Sequence, residues 1–259
     1  MVRGRTRRTV MTATITKAIV LAAGQGKRLM PLTADRPKCM VEVGDRPVLA
    51  HQIDALAAGG VTDIVIVVGF AADRVEDALP GLARPGVAIR TLPNPFFPVS
   101  DNLGSCFLAR AEMTGPFVLV NGDTLFEPAI LTRLMASAPA QVTVTIDRKA
   151  HYDADDMKVS TDGDTLRDIG KSLDPEVVNG EAIGLHAFRG DGPRHFADAV
   201  ARAMMSPTGL KAWYLSVVAR LARQGVVNVC PIPGLAWGEI DTPDDLKRAE
   251  RLPFVRGGG

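Results

Sequence analysis

Lys17-Ala18-Ile19-Val20-Leu21-Ala22 is a short apolar run that stops at a glycine turn, and no other feature constrains the fold as much. A run of this length suits a strand buried on both faces, the usual state in a parallel sheet. Asp63-Ile64-Val65-Ile66-Val67-Val68 repeats the pattern and also closes at glycine. Pro116-Phe117-Val118-Leu119-Val120 repeats it once more, leading into Asn121-Gly122-Asp123. Helical spacing fills the intervals. Pro47 to Gly60 carries Leu49, Ile53, Leu56 and Ala57 on one face and stops at Gly59-Gly60. Asp73 to Leu79 and Asn102 to Met113 read as further helices, with a strand at Val87 to Leu92. Strands alternating with helices of this length predict a doubly wound α/β sheet, with ligands at the carboxyl ends of its strands.

The second half is less regular. Gln141 to Asp147, Met157 to Ser160, Thr165 to Ile169 and Ala182 to Phe188 read as strands, some of them antiparallel. Helical patterns return at Pro193 to Met205 and Ala212 to Gln224. Thr242 followed by Pro243 is a favourable N-cap and first position for a closing helix. No repeat or low-complexity linker interrupts the chain, so residues 16–252 are expected to form one domain. Residues 1–15 read as a disordered basic lead, with Met11 an alternative start to Met1, and residues 253–259 as a flexible tail.

Composition narrows the function classes. Lys plus Arg (30) nearly cancels Asp plus Glu (29), and no basic stripe follows the first eight residues. A partner with a long phosphate backbone is therefore not expected, whereas a small anion needs only a few placed cations. The three cysteines lack CxxC spacing and the four histidines lack HExxH spacing, which argues against a disulfide framework or structural zinc. Thr6-Arg7-Arg8-Thr9-Val10 resembles a twin-arginine export signal, but the apolar stretch after it is short and has no small-residue cleavage site. No apolar run approaches the roughly 20 residues that span a bilayer. A soluble cytoplasmic protein without membrane partner is expected, with a homodimer as a candidate assembly.

Chemistry enters at Leu21-Ala22-Ala23-Gly24-Gln25-Gly26-Lys27-Arg28, followed by Pro37-Lys38. Glycines at 24 and 26 let backbone N–H groups approach a polyphosphate, and Arg28 and Lys38 supply positive charge for a triphosphate and its leaving pyrophosphate. A P-loop is excluded because GxxxxGK[ST] is absent. The dinucleotide fingerprint is excluded because it needs a small residue where Leu29 stands. Asp123 and Asp241, each after an apolar segment, are hard oxygen donors suited to Mg²⁺, which takes only one or two protein carboxylates. Each could instead serve as a turn or helix cap. Glu239 is a poorer candidate ligand.

The Leu21 to Arg28 segment with Pro37-Lys38 resembles the signature of the sugar-nucleotidyltransferase (pyrophosphorylase) superfamily. Asn94-Pro95-Phe96-Phe97, Ser100-Asp101-Asn102, Asn121 to Phe126, Asp156 to Val159, Ile169-Gly170-Lys171, Gly180-Glu181 and Glu239 to Thr242 are similar to its phosphocholine cytidylyltransferase-like branch. The resemblance spans about residues 17 to 250. It implies a Rossmann-like, mixed but mostly parallel sheet of GT-A-like type, with Mg²⁺ held by Asp123 and Asp241. It also implies a nucleotide site at Leu21 to Lys27 with Asn102 and Gly122. Lys171 matches the lysine that meets the acceptor phosphate and joins Arg28 and Lys38 as catalytic candidates, with Lys158 its neighbour. Glu181, Asp101 and Trp237 are further acceptor-site candidates.

The expected reaction is attack by an acceptor phosphate or phosphonate oxygen on the α-phosphorus of a nucleoside triphosphate, CTP by resemblance, releasing pyrophosphate. The acceptor is left among phosphocholine, an inositol or polyol phosphate, and an aminoalkyl phosphonate. Phe96-Phe97, Tyr152, Trp213-Tyr214 and Trp237 could cage a quaternary ammonium, or simply pack. Asp153, Asp155, Asp156 or Glu181 could add negative charge or bind hydroxyls. A sugar-1-phosphate transferase using GTP, ATP or dTTP is the alternative enzyme, and a non-catalytic nucleotide sensor the alternative class. All four of Arg28, Lys38, Asp123 and Asp241 are present, which favours catalysis.

Overall fold

A computed structural model describes residues 14–256. Lys17–Ala22 is strand β1, and its exit runs through single 3-10 turns at Lys27–Leu29 and Lys38–Met40. A ribbon of β2 (Glu42–Val43) and β3 (Arg46–Pro47) leads to α1 (Val48–Ala58), β4 (Asp63–Val68), α2 (Ala72–Leu82) and β5 (Ala88–Pro93). Then come α3 (Asn102–Leu108), β6 (Phe117–Asn121), β7 (Thr124–Phe126), α4 (Pro128–Ala136) and β8 (Val142–Asp147). Strands β9 (Lys158–Asp162), β10 (Thr165–Gly170) and β11 (Gly180–Phe188) precede α5 (Gly192–Met204) and α6 (Leu215–Ala222). The described chain closes with β12 (Val227–Pro231), β13 (Trp237–Glu239), α7 (Pro243–Ala249) and α8 (Pro253–Arg256).

Nine strands form one sheet in the order β5-β4-β1-β6-β11-β8-β12-β10-β9, while β13 pairs with β7 apart from it. β5, β4, β1 and β6 are parallel neighbours; β11 runs against β6 and β8, and β10 against β12 and β9. The alternation of side chains across β1 explains the two-sided burial. Ala18, Val20 and Ala22 join one core with Leu49, Ile53 and Leu56 of α1, Val75 of α2, and Ile130 and Leu134 of α4. Ile19 and Leu21 face a second core with Leu103 of α3, Phe196 of α5 and Val217 of α6. Strands that bury both faces need helices on both sides, so the sheet is doubly wound.

The edges of the expected domain need correction. Residues 1–13 of the expected lead and 257–259 of the expected tail lie outside the described residues. Ile15, assigned to the lead, is buried in the first core, and the Thr16 carbonyl accepts from Thr62 and Asp63 at the foot of β4. Pro253 to Arg256, assigned to the tail, is helical because Phe254 and Val255 pack on a third cluster. That cluster holds Leu29, Val41, Leu125 and Ile240. Leu29 is fully buried there, so the residue that breaks the dinucleotide fingerprint is a core plug.

A buried polar chain ties β11 to α6 and β6. The Tyr214 hydroxyl donates to Asn121 Oδ1 at 3.0 Å and lies 2.9 Å from His186 Nε2. This pattern makes Nε2 the protonated nitrogen and leaves buried Nδ1 without a partner among the described residues. Burial pushes the His186 pKa from 6.5 down to about 3, since a second proton would place an unsolvated charge in the core. The unfolded chain therefore binds a proton that the folded one refuses between these values. Folding stability is expected to be fully supported above pH 6.5 and to fall as pH drops from 6.5 toward 3. Denaturant melts across this window check it. His186→Leu should flatten the acid slope while losing about 1 kcal/mol at neutral pH through the broken bond to Tyr214.

Candidate active site

The carboxyl ends of β1 and β6 lie side by side, with Leu21 in register with Asn121. Gly122 follows, and a Cβ there would stand 2.6 Å from the Leu21 carbonyl oxygen and 2.9 Å from Ala22 Cα. Only glycine lets the exit of β6 pass this close to the chain leaving β1, which brings Asp123 beside the glycine loop. Gly26 has a φ of +74°, and its missing side chain leaves room for the stem of Lys38, whose Cβ would lie 3.0 Å from an added Cβ. The Lys38 N–H also donates to the Gly24 carbonyl at 3.4 Å. The two glycines thus fold the loop around the lysine as well as opening backbone toward a ligand.

Asp241 arrives from the opposite direction, beyond β13. Thr242 is the N-cap of α7 and forms a capping box with Asp245, and Asp245 Oδ2 accepts from both the Asp241 and Thr242 N–H groups, at 3.1 and 2.7 Å. The cap thus falls to Thr242 and leaves the Asp241 carboxylate free to face the cleft. Lys38 Nζ donates to Asp123 Oδ2 at 2.7 Å and also to Asp241 Oδ1. Arg28 donates to Asp241 Oδ2 at 2.6 Å and to Asp155 Oδ2 at 3.2 Å. Burial alone would lower the Lys38 pKa, but Asp123 and Asp241 raise it above the ordinary lysine value, and the ammonium stays charged.

Glu239 stands on the cleft floor beside these groups. Its side chain is exposed to the open cleft. The protein walls around it, with Asp123 and Asp241 adding like charge, raise its pKa above the ordinary carboxylate value. Cleft water moderates the rise.

The Asp123 and Asp241 carboxylates have the character of a divalent-cation site. Asp123 Oδ1 is buried and lacks any hydrogen-bond partner among the described residues, which suits an oxygen held ready for a metal. No cluster of three or more His, Cys, Asp or Glu arranged to hold an ion alone occurs among the described residues. A Mg²⁺ that shares phosphate oxygens and water needs no such cage, so Asp123 and Asp241 fit it.

The cleft encloses about 440 Å³ and is lined by Leu21, Ala23, Gly24 and Arg28 of the loop, with Asn102 and Gly122 at its sides. Of the other loop candidates, Ala22 is buried, Gln25 donates to the Thr33 carbonyl, Gly26 supports Lys38, and Lys27 is exposed. Lys171 lies in the cleft, 3.5 Å from Asp155 Oδ1 and 5.2 Å from the centre of the Trp213 ring. Asp101 also lines it, N-caps α3 and accepts from Trp213 Nε1 at 2.8 Å; Asn102 Oδ1 accepts from the Tyr214 N–H at 2.9 Å.

Three acceptor candidates sit elsewhere. Lys158 turns inward, where its ammonium donates to the Asp153 and Lys171 carbonyls, so it holds the two loops together rather than facing the cleft. Glu181 is buried and paired with Lys149 at 2.8 Å. Burial raises its carboxyl to about 7 against the pull of Lys149. Trp237 donates to Asp147 at 2.9 Å. Glu181 and Trp237 line a second hollow of about 660 Å³ on the far side of Arg28, Asp155, Glu239 and Asp241, which face both spaces. The expected aromatic cage does not assemble: Tyr214 is fully buried, Phe96 points to solvent, and Phe97 and Trp213 reach the cleft without Trp237.

The CMP-5'-(3-aminopropyl)phosphonate synthase of Streptomyces rubellomurinus is 34% identical over 243 residues, 90% of this chain and 38% of its own length. The bifunctional IPC transferase and DIPP synthase of Aquifex aeolicus is 27% identical over 236 residues, 90% of this chain and 51% of its own. The chain thus spans between about two fifths and about half of the length of these relatives. Among solved structures, the inositol-1-phosphate CTP transferase from T. maritima shares the fold with a TM-score of 0.79 at 23% identity, covering 95% of this chain and 98% of that one. The nucleotidyl transferase family model matches residues 17–157. That match covers β1, the loop of Gly24 and Gly26 and the strand exit bearing Asp123, and runs on past β8, and the chain belongs to the nucleotidyl transferase family.

Proposed function

We infer that the chain transfers a cytidylyl group from CTP to a small acceptor bearing a phosphate or phosphonate, releasing pyrophosphate. The observation that carries this reading is the meeting of Lys38 with Asp123 and Asp241 under the glycine loop, with Arg28 above them. Cytidine and the acceptor class are supported by the relatives named above.

In this reading an acceptor oxygen lone pair forms the new bond to the α-phosphorus while the bond to the bridging oxygen of the β-phosphate breaks. The acceptor dianion is already a nucleophile, so no residue has to remove a proton. The difficulty is charge: triphosphate and acceptor bring about six negative charges into one cleft. Backbone N–H groups of the Gly24 loop, Arg28 and Lys38 hold the departing pyrophosphate, and Lys171 orients the acceptor. Mg²⁺ held by Asp123 and Asp241 would add Lewis-acid neutralisation of the phosphates when bound. We place the reaction in the cytoplasm, where the triphosphate is made; among the described residues no helix is long and apolar enough to cross a membrane.

A pyrophosphate-release assay should cross CTP, GTP, ATP and dTTP with phosphocholine, inositol phosphate, sugar 1-phosphates and aminoalkyl phosphonates, with and without Mg²⁺. Release is expected with CTP, a non-sugar acceptor and Mg²⁺. Turnover with sugar 1-phosphates alone would favour the sugar branch, and no release with any pair would favour a nucleotide sensor. Asp123→Asn should lower kcat by a factor of about a hundred or more, the loss of several kcal/mol of charge stabilisation, with an unchanged melting profile. Wild-type turnover in that variant would remove Asp123 from the site.

A further inference from the structure

Between Asp123 and Asp241 there is already a cation, the ammonium of Lys38. It bonds one oxygen of each carboxylate, is only 13% exposed, and reaches them on a stem seated against Gly26. Two carboxylates facing one space repel each other, and a monovalent charge between them offsets that repulsion and holds both in place. Asp123 Oδ1 remains bare while its Oδ2 is engaged, so the pair is half occupied by the lysine. A divalent cation taking both carboxylates has to compete with that ammonium for Asp123 Oδ2 and Asp241 Oδ1.

We propose that Lys38 is a resident counter-cation that blocks divalent-ion binding until a nucleotide arrives. The phosphates of an incoming triphosphate offer the ammonium a stronger anion than two carboxylates, and Lys38 moves onto them. The carboxylates it leaves then receive the metal that the triphosphate carries. Metal and nucleotide therefore bind together, and the nucleotide-free protein is kept from capturing stray divalent ions. The inference rests on the reading of Asp123 and Asp241 as metal ligands, and it adds a positioning role for Lys38 that precedes its contact with the leaving group.

The test is Mn²⁺ binding to the nucleotide-free protein, followed by the loss of the free-ion electron paramagnetic resonance signal. Wild type should bind weakly, and Lys38→Met should bind roughly tenfold tighter or more, because the ion no longer has to displace two charge-assisted hydrogen bonds. Lys38→Gln, polar and uncharged, should tighten likewise, whereas Lys38→Arg, which retains the cation, should stay near wild type. Misfolding cannot produce a gain, and the double variant Lys38→Met with Asp123→Asn should lose it. Equal affinity in wild type and both uncharged variants overturns the inference, as does a gain that survives Asp123→Asn. Equal affinity leaves the metal-ligand reading untouched, which the turnover of Asp123→Asn tests on its own, whereas a gain that survives Asp123→Asn counts against that reading as well.

Discussion

The bridge from Lys38 to Asp123 and Asp241 is the contact on which the rest of the site depends. Its members come from the loop after β1, the exit of β6 and the segment after β13, so the site exists only when sheet and carboxyl-terminal helix have both formed. Each arm has its own support. Gly122 brings Asp123 against the loop, Gly26 makes room for the lysine, and the capping box of α7 fixes the backbone of Asp241. Leu29, Leu125 and Ile240 of the third cluster lie one turn or one residue from these groups and fill the space beneath them with apolar volume. Partly desolvated charges are worth more to one another than exposed ones, so a site built on so few ionic contacts can still hold its shape.

Much of the first half was legible because its signals are local and redundant. β1 and β4 occupy the expected residues without a shift, since an unbroken apolar run closed by glycine has few competing readings. The two-sided burial of the sheet follows from the same runs. In contrast, Pro128–Ala136 carried no expectation, although Pro128 at the first position and Ile130, Leu131 and Leu134 mark a helix. It follows so closely on the short β7 that the whole stretch reads as an extension of the Asn121 to Phe126 motif. β12 and β13 are likewise brief, and their pairing partners are distant in sequence.

Within the site, the structure brings Lys38 of the glycine loop's sequel together with the two aspartates, and these residues stood out in the sequence because their backbone context is part of the motif. The acceptor side did not, because a lysine at a strand end says nothing about which way its stem turns. Lys171, one residue past the end of β10, faces the cleft; Lys158, the first residue of β9, is consumed by two carbonyls. Glu239, set aside as a poor ligand, stands next to both aspartates because β13 pairs with β7 out of the main sheet. Tyr214 belonged to the expected cage and instead anchors Asn121 from within the core. Such outcomes depend on contacts between elements far apart in sequence, which no local pattern encodes.

Arg28, Asp155, Glu239 and Asp241 border both the cleft and the second hollow, and this shared border is a fence of charged side chains. A backbone wall would set the size of an acceptor once and for all. A fence held by ion pairs yields to whichever ligand offers better partners, so rearrangement of Arg28 and Asp155 can join the two spaces. Selection at this end of the molecule is then governed by a ligand's charge distribution more than by its bulk. In the reading proposed above, single substitutions along the fence would retune the acceptor and leave the triphosphate half untouched.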